Sequence, residues 1–207
     1  MEFHVKNGKK QHSFSRKEGK GMWKAAHLRL AKWLLNQEEL EDFGRHKIAF
    51  LVGSILPDCM PSFVTKRHRL EDTFFVLKEE IQKLQEHSKV DFSFCLHFGM
   101  VLHYVADYFT YPHNKTFHGN FLEHCIWERK QQQYLTRHLK KSVTLAPTIL
   151  GKDFCQYLLK KNEEYLKRGV SLENDCNYVV EVSYCFAVAL MQALEIDFTY
   201  NVMEEQK

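Results

Sequence analysis

The chain has 207 residues, 44% of them hydrophobic, and a formal net charge of only +3. This length suits one well-buried domain, and so small a charge gives no general reason to expect a nucleic-acid or membrane-surface partner. Six cysteines occur without any Cys-x-x-Cys spacing, which argues against ribbon or finger zinc sites and favours reduced thiols that mostly fill the core.

Residues 1–21 form a polar, basic segment, which we predict to be an N-terminal arm beside a single helical metal-binding domain over 22–207. No apolar run of signal-peptide length follows its charges, so the cytoplasm is the expected location. The arm could also fold over the domain and bring His4 or His12 to a site.

Two polar residues stand out near the start of the chain, one in the first predicted helix and one directly after the second. From Met22 the apolar residues recur at helical spacing, and His27 lies on or beside the apolar face. This histidine is either a buried, hydrogen-bonded residue or a metal ligand. The apolar run 48–56 ends at Pro57 and Asp58, where Asp58 could simply cap the turn.

The next two predicted helices cover 70–87 and 92–110. His68 lies in a basic cluster just before the first of them, where its position alone suggests a solvated loop histidine. The second is apolar nearly all round, so we expect a central helix with His97, His103 and Asp107 inside. An ionised Asp107 buried there needs a cation, because an unpaired buried carboxylate costs several kcal/mol.

Pro112 interrupts the helical pattern, and Asn120 with Glu123 has capping-box spacing before a helix predicted over 121–141. At 100° per residue, five basic residues of this helix fall within roughly 120° of one another, almost opposite His124 and Glu128. They are Arg129, Lys130, Arg137, Lys140 and Lys141, which we call the basic stripe. We predict that the basic stripe faces solvent, which counts against a nucleic-acid groove over the site.

Helices predicted at 154–167 and 178–196 complete an all-α fold, a single compact domain of six to eight helices around one core. The last helix is strongly apolar, but Glu181, Gln192 and Glu195 interrupt it. We therefore interpret it as a core helix and do not predict a transmembrane segment.

Two pairs of potential metal ligands lie close together in the chain, His103 with Asp107 and His124 with Glu128. Residues at positions i and i+4 share one face of a helix, so each pair can direct two ligand atoms at one point. His113 lies between the pairs, next to the proline. The spacing therefore predicts two helices separated by a break, with their ligand faces turned toward a shared metal site.

This pattern resembles the ligand signature of the zinc-dependent phospholipase C family, which is related to the single-strand-specific zinc nucleases. The matching residues between 27 and 128 are His27 in HLRLAKWL, Asp58 in GSILPD, His68, His103-Tyr-x-x-Asp107, His113 and His124-x-x-x-Glu128. The resemblance implies an all-helical fold with a cluster of two or three zinc ions at the base of a cleft.

The resemblance also implies a role for each residue. One zinc ion would be held by Asp58, His68, His103 and Asp107. A second would be held by His113, His124 and Glu128, and a third by His27 with a bridging Asp107. Asp58 would also be the catalytic base, or would orient the attacking water. The implied reaction is hydrolysis of a phosphate diester, either a small phosphodiester or a phospholipid, by metal-activated water.

The sequence departs from the family pattern at two points. Secreted members use a mature N-terminal tryptophan as a ligand of the third zinc, whereas Trp23 lies inside the first predicted helix. The third site would then be empty, weak, or completed by the arm or by water. Pro112 directly precedes His113 instead of standing two residues before it, and His118 could substitute as a ligand or gate the site.

Two further functions remain as alternatives to the phosphoesterase. A single-strand nuclease on the same scaffold needs exposed aromatic and cationic side chains beside the metals, for which Arg67 and Arg69 are the candidates. A non-catalytic protein would use the metals only to hold its fold. The sequence determines neither the substrate nor the oligomeric state.

Overall fold

The computed structural model describes residues 16–60, 68–140, 145 and 153–204 of the chain. These residues form seven α-helices and no β-strand, with 3-10 segments at 38–46, 57–59 and 111–113. The helices are α1 (Arg16–Leu34), α2 (Lys47–Gly53), α3 (Leu70–Gln85), α4 (Phe92–Asp107), α5 (Phe121–His138), α6 (Phe154–Lys167) and α7 (Leu172–Glu204). The predicted all-α fold is confirmed.

α4 is the central helix, as its apolar sequence predicts. Of its 16 residues 12 are buried, including His103 and Asp107 at its C-terminal end. It packs against α1, α2, α3 and α7, and its N-terminus is capped by Asp91, which accepts a hydrogen bond from the Phe94 N–H at 2.9 Å. His97 is not fully inside as predicted: its side chain is partly exposed and pairs with the buried Glu80 of α3.

α2 and α4 touch at two glycines, Gly53 and Gly99. A Cβ atom on Gly99 would lie 2.4 Å from the Phe50 carbonyl oxygen, and one on Gly53 would lie 2.0 Å from the Leu96 carbonyl oxygen. Neither distance is tolerable for a carbon atom, so the two backbones can approach this closely only because both residues lack a side chain. The contact brings the chain after α2, including Asp58, close to the C-terminal half of α4.

α5 begins with the predicted capping box. The Asn120 side chain accepts a hydrogen bond from the Glu123 N–H at 3.0 Å, and the Glu123 carboxylate accepts one from the Asn120 N–H at 2.7 Å. Four residues of the basic stripe are exposed, which confirms the predicted solvent face: Arg129, Lys130, Arg137 and Lys140. Its fifth member, Lys141, lies outside the described residues.

α7 begins at Leu172, six residues before the predicted start at Tyr178. Gly169, at a φ of 84°, separates it from α6, and the Ser171 hydroxyl accepts a hydrogen bond from the Asn174 N–H at 3.0 Å. Apolar periodicity missed this polar first turn. The segment Leu172–Leu194 is long and apolar enough to cross a membrane, but most of it is buried against the other helices, as expected of a core helix.

The buried apolar side chains of the described helices form one continuous cluster, to which all seven α-helices contribute. All six cysteines are free and four of them are buried, in agreement with the prediction of reduced core thiols. α1 begins at Arg16, within the segment 1–21 that the sequence separates as a basic arm. His4 and His12 lie outside the described residues.

Candidate metal centre

Asp107, the last residue of α4, lies at the centre of a cluster of four histidines. Its side chain is 3% exposed. Oδ1 lies 3.1 Å from His27 Nε2 and 3.2 Å from His113 Nδ1. Oδ2 lies 3.1 Å from His68 Nδ1 and 3.3 Å from His103 Nε2. Each carboxylate oxygen therefore faces a different pair of imidazole rings, so one side chain can connect two metal-binding groups.

The first group comprises four atoms, Asp58 Oδ1, His68 Nδ1, His103 Nε2 and Asp107 Oδ2. Beyond the two Asp107 contacts, His68 Nδ1 lies 3.0 Å from His103 Nε2, and Asp58 Oδ1 lies 3.7 and 3.6 Å from these two nitrogens. Ligand atoms about 2.0–2.1 Å from a tetrahedral zinc ion lie roughly 3.3 Å from one another. Five of the six separations among these atoms, from 3.0 to 3.7 Å, lie close to this value, so the four side chains are near enough to one another to share one zinc ion.

The second group comprises His113, on the 3-10 segment 111–113, with His124 and Glu128 of α5. Glu128 Oε1 lies 2.6 Å from His124 Nε2, one helical turn away, and 3.4 Å from His113 Nε2. The predicted convergence of the two helices therefore takes place, and His113 lies between the two groups with one ring nitrogen toward each carboxylate.

The third group comprises His27, His103 and Asp107. α1 contributes His27, whose ring stacks on that of His103 with centroids 4.1 Å apart. The three groups together contain all eight predicted residues, although their roles as ligands stay predictions. His118, considered as a substitute ligand, belongs to none of the groups and is exposed.

Asp107 and His113 have the strongly shifted pKa values of the cluster. Burial disfavours the ionised form of Asp107, but the charges of His113, His103 and His27 outweigh it and hold the pKa of this carboxyl well below its usual range. Burial likewise disfavours the charged form of His113, but Asp107 and Glu128 raise its pKa well above the usual value. Without a metal ion, a proton on His113 provides part of the positive charge that these carboxylates need.

The residues present fit zinc by two tests. Imidazole nitrogens and carboxylate oxygens are the donor types that zinc accepts. Among the described residues, Asp58 Oδ2 and Glu128 Oε2 are buried without a hydrogen-bond partner. Buried carboxylate oxygens of a native protein are normally paired, so these two carboxylates have room for a cation, or for a water bound to one, as a partner.

A pocket adjoins the third group between α1, α4, α5 and α7. Its polar wall is formed by His27, Asp107, His113 and Glu128, together with Thr110 and the buried amide residue Gln131. The apolar lining residues are Ala26, Leu30, Ala106, Leu135 and Val179. Water or part of a bound molecule could therefore reach the metal-facing side of His27 and Asp107.

Two contacts around the site have no signature in the sequence. The His103 Nδ1 atom lies 3.0 Å from the backbone carbonyl oxygen of Ser54, and Asp175 in α7 accepts hydrogen bonds from the segments that carry the second group. A carbonyl oxygen is present in every residue and so gives no signal. Ser171 is a potential N-cap, and Asp175 lies four positions after it. A helix predicted to begin at Ser171 would therefore have included Asp175.

A model of the zinc dependent phospholipase C family matches residues 26–188 of the chain. The match contains all eight residues of the three groups and continues through α6 into α7, beyond the span 27–128 in which the sequence motifs lie. No curated protein and no solved structure matches the chain. Because the matched span covers well over half of the 207 residues, this chain belongs to the zinc-dependent phospholipase C family.

Proposed function

We propose that the protein is a zinc-dependent phosphoesterase that hydrolyses a phosphate diester, either a small phosphodiester or a phospholipid. Membership of the family supports zinc-dependent hydrolysis as the reaction class. The convergence of three potential ligand groups on Asp107 supports two or three ions. The observation that carries the proposal is the close approach of the ligand atoms of Asp58, His68, His103 and Asp107, which lie 3.0 to 3.7 Å apart in five of their six pairs.

Zinc bound in these groups would polarise a phosphoryl oxygen and lower the pKa of a bound water toward about 7. The chain contributes the placement of the ligands. Asp107 turns one oxygen toward His68 and His103 and the other toward His27 and His113, so a single carboxylate sets the distance between neighbouring groups. Such fixed spacing suits a phosphate that must contact more than one charge at once.

Asp58 is the residue that we propose as the catalytic base, or as the group that orients the attacking water. Its Oδ1 atom belongs to the first group, at 3.6 Å from His103 Nε2. Its Oδ2 atom is buried and has no hydrogen-bond partner among the described residues, so it is available to accept a proton beside the ligand set.

The Asp58→Asn variant tests this role, since the amide oxygen can still act as a ligand but the side chain cannot take a proton. We expect hydrolysis of a chromogenic phosphodiester to fall by about 10²–10⁴-fold, while the zinc content measured by elemental mass spectrometry stays at the wild-type value. The neighbouring, exposed Cys59 provides the control Cys59→Ser, which should change neither quantity. Undiminished turnover in Asp58→Asn contradicts the proposal.

The two alternative functions make different predictions. A single-strand nuclease needs cations beside the metals, yet the exposed basic stripe is on the side of α5 away from His124 and Glu128. A protein that uses zinc only to hold its fold would retain the metal and hydrolyse no diester. The cytoplasmic location stays a prediction of the sequence.

A further inference from the structure

Asp175, in the first turn of α7, is a fully buried carboxylate that belongs to none of the three ligand groups. Burial raises its pKa, against the opposing effect of its hydrogen bonds and of the charge on His113. A carboxylate in such a place costs free energy unless its oxygens are satisfied. Its hydrogen bonds therefore show what the residue holds together.

Three donors reach this carboxylate from three different parts of the chain. Asp175 Oδ2 accepts a hydrogen bond from the Tyr111 N–H at 3.1 Å and one from the Trp127 indole N–H at 2.8 Å. Oδ1 accepts a hydrogen bond from the Tyr165 hydroxyl, in α6, at 2.7 Å. A single oxygen atom thus joins the 3-10 segment 111–113 to α5.

These two segments carry the whole second ligand group. Tyr111 begins the 3-10 turn that ends at His113, and Trp127 directly precedes Glu128. The Tyr111 and Trp127 rings also pack against each other, with centroids 4.9 Å apart. Any shift of Asp175 would therefore change the separation of His113 from Glu128, which is 3.4 Å between Nε2 and Oε1.

We propose that Asp175 is the positioning residue of the second ligand group, because it binds the segment of His113 and the helix of His124 and Glu128 to one buried carboxylate. The inference rests on the proposed metal site but concerns metal affinity and not turnover. Partners that orient metal ligands typically change affinity by about 10–100-fold when they are removed. We expect a weakening of this size for the second group alone.

The Asp175→Ala and Asp175→Asn variants separate position from charge. In Asp175→Asn, the amide oxygen can accept from Tyr111 and Trp127 while the amide N–H group donates to the Tyr165 oxygen, so the geometry is retained. Zinc affinity is measured by competition with a chelator, and zinc content by elemental mass spectrometry. We expect Asp175→Ala to bind one zinc ion about 10–100-fold more weakly and Asp175→Asn to bind all ions nearly as tightly as the wild type. Equal losses in both variants would overturn the positioning role.

A double variant distinguishes positioning from a general loss of stability. His124→Ala removes a residue of the second group directly, so Asp175→Ala in that background should cause no further loss of zinc. Additive losses would contradict the inference. The control is Tyr184→Phe, which removes a partly buried hydrogen bond of 2.7 Å from α7 to Glu39, away from any ligand segment. It should lower the unfolding temperature and leave zinc affinity unchanged.

If Asp175→Ala does not fold, Trp127→Phe tests the positioning role of Asp175, because it removes one hydrogen-bond donor and leaves the carboxylate in place. We expect a smaller but measurable weakening at the second group. Wild-type affinity in Trp127→Phe would then overturn the inference. A wild-type chain that binds no zinc would overturn both this inference and the proposed function, whereas zinc binding that is indifferent to Asp175 would overturn the inference alone.

Discussion

His103 Nδ1 donates a hydrogen bond of 3.0 Å to the backbone carbonyl oxygen of Ser54, which directly follows α2. Because a carbonyl can only accept, the hydrogen of the neutral imidazole is on Nδ1 and the lone pair is on Nε2. Nε2 is the atom that faces His68, Asp58 and Asp107. The packing of α2 on α4 therefore selects the tautomer that a zinc ligand needs.

Removing His103 should remove metal from the chain, since this residue belongs to two of the three ligand groups. We expect His103→Ala to lose at least one zinc equivalent by elemental mass spectrometry. His97→Ala is the matched control, because His97 lies on the same helix but pairs with Glu80 and belongs to none of the groups. Equal zinc content in the two variants would show that α4 does not carry the metal ligands.

Gly99→Ala should damage the metal site without changing any ligand. Its new Cβ atom would lie 2.4 Å from the Phe50 carbonyl oxygen, so α2 must move away from α4, at a cost of about 1–3 kcal/mol. The movement displaces both the Ser54 carbonyl and Asp58 from His103. We expect a lower unfolding temperature and weaker zinc binding. Glu79→Ala, on the exposed side of α3, should change neither, and full zinc affinity in Gly99→Ala would contradict the prediction.

Asp107 and His113 should together contribute most to the stability of the zinc-free chain between about pH 4 and pH 6.5. The pKa of Asp107 is lowered, so its contribution is present above the unfolded-state pKa of about 3.9 and is lost as the pH falls through the folded-state pKa. The pKa of His113 is raised, so its contribution is complete below about 6.5 and is lost as the pH rises through the folded-state pKa.

Chemical denaturation of the chelator-treated chain across the pH range measures this profile. His113→Asn removes the titrating group, so the loss of stability on the alkaline side should diminish. The loss on the acid side should become smaller but persist, because His103 and His27 still lower the pKa of Asp107. Added zinc should move the maximum of the wild-type profile to higher pH, because histidines bind metal only when they are deprotonated. If stability falls on the alkaline side equally in His113→Asn and in the wild type, His113 is not the group that causes this loss.

Charge reversal on the basic stripe tests whether nucleic acid is a substrate. Lys130 and Arg137 are exposed and lie on the side of α5 away from His124 and Glu128. At an ionic strength of 0.15 M, charges separated by more than about 8 Å through solvent are largely screened. We therefore expect Lys130→Glu with Arg137→Glu to leave kcat/KM for a small phosphodiester within about twofold of wild type. A large loss, together with hydrolysis of single-stranded DNA by the wild type, would favour the nuclease.

The sequence predicted the helices best where they are long and periodic. α6 has the predicted bounds, and α3 and α4 begin at the predicted residues because their first apolar positions follow clear breaks in the pattern. The predicted start of α7 is too late in the chain, because apolar periodicity detects the apolar face of a helix and not a polar first turn. The error excluded Asp175 from the helix, and with it the connection between α7 and the second ligand group.

The helical fold could be predicted from the apolar periodicity of the chain, and helical spacing places His103 with Asp107 and His124 with Glu128. His27, Asp58 and His68 were identified as candidate ligands through the family resemblance. The partners of these residues depend on the tertiary structure. The glycine contact of α2 with α4 places the Ser54 carbonyl on His103, and Asp175 joins segments 64 and 48 residues away in the chain. Local periodicity contains no information about such distant contacts, because they depend on how whole helices pack.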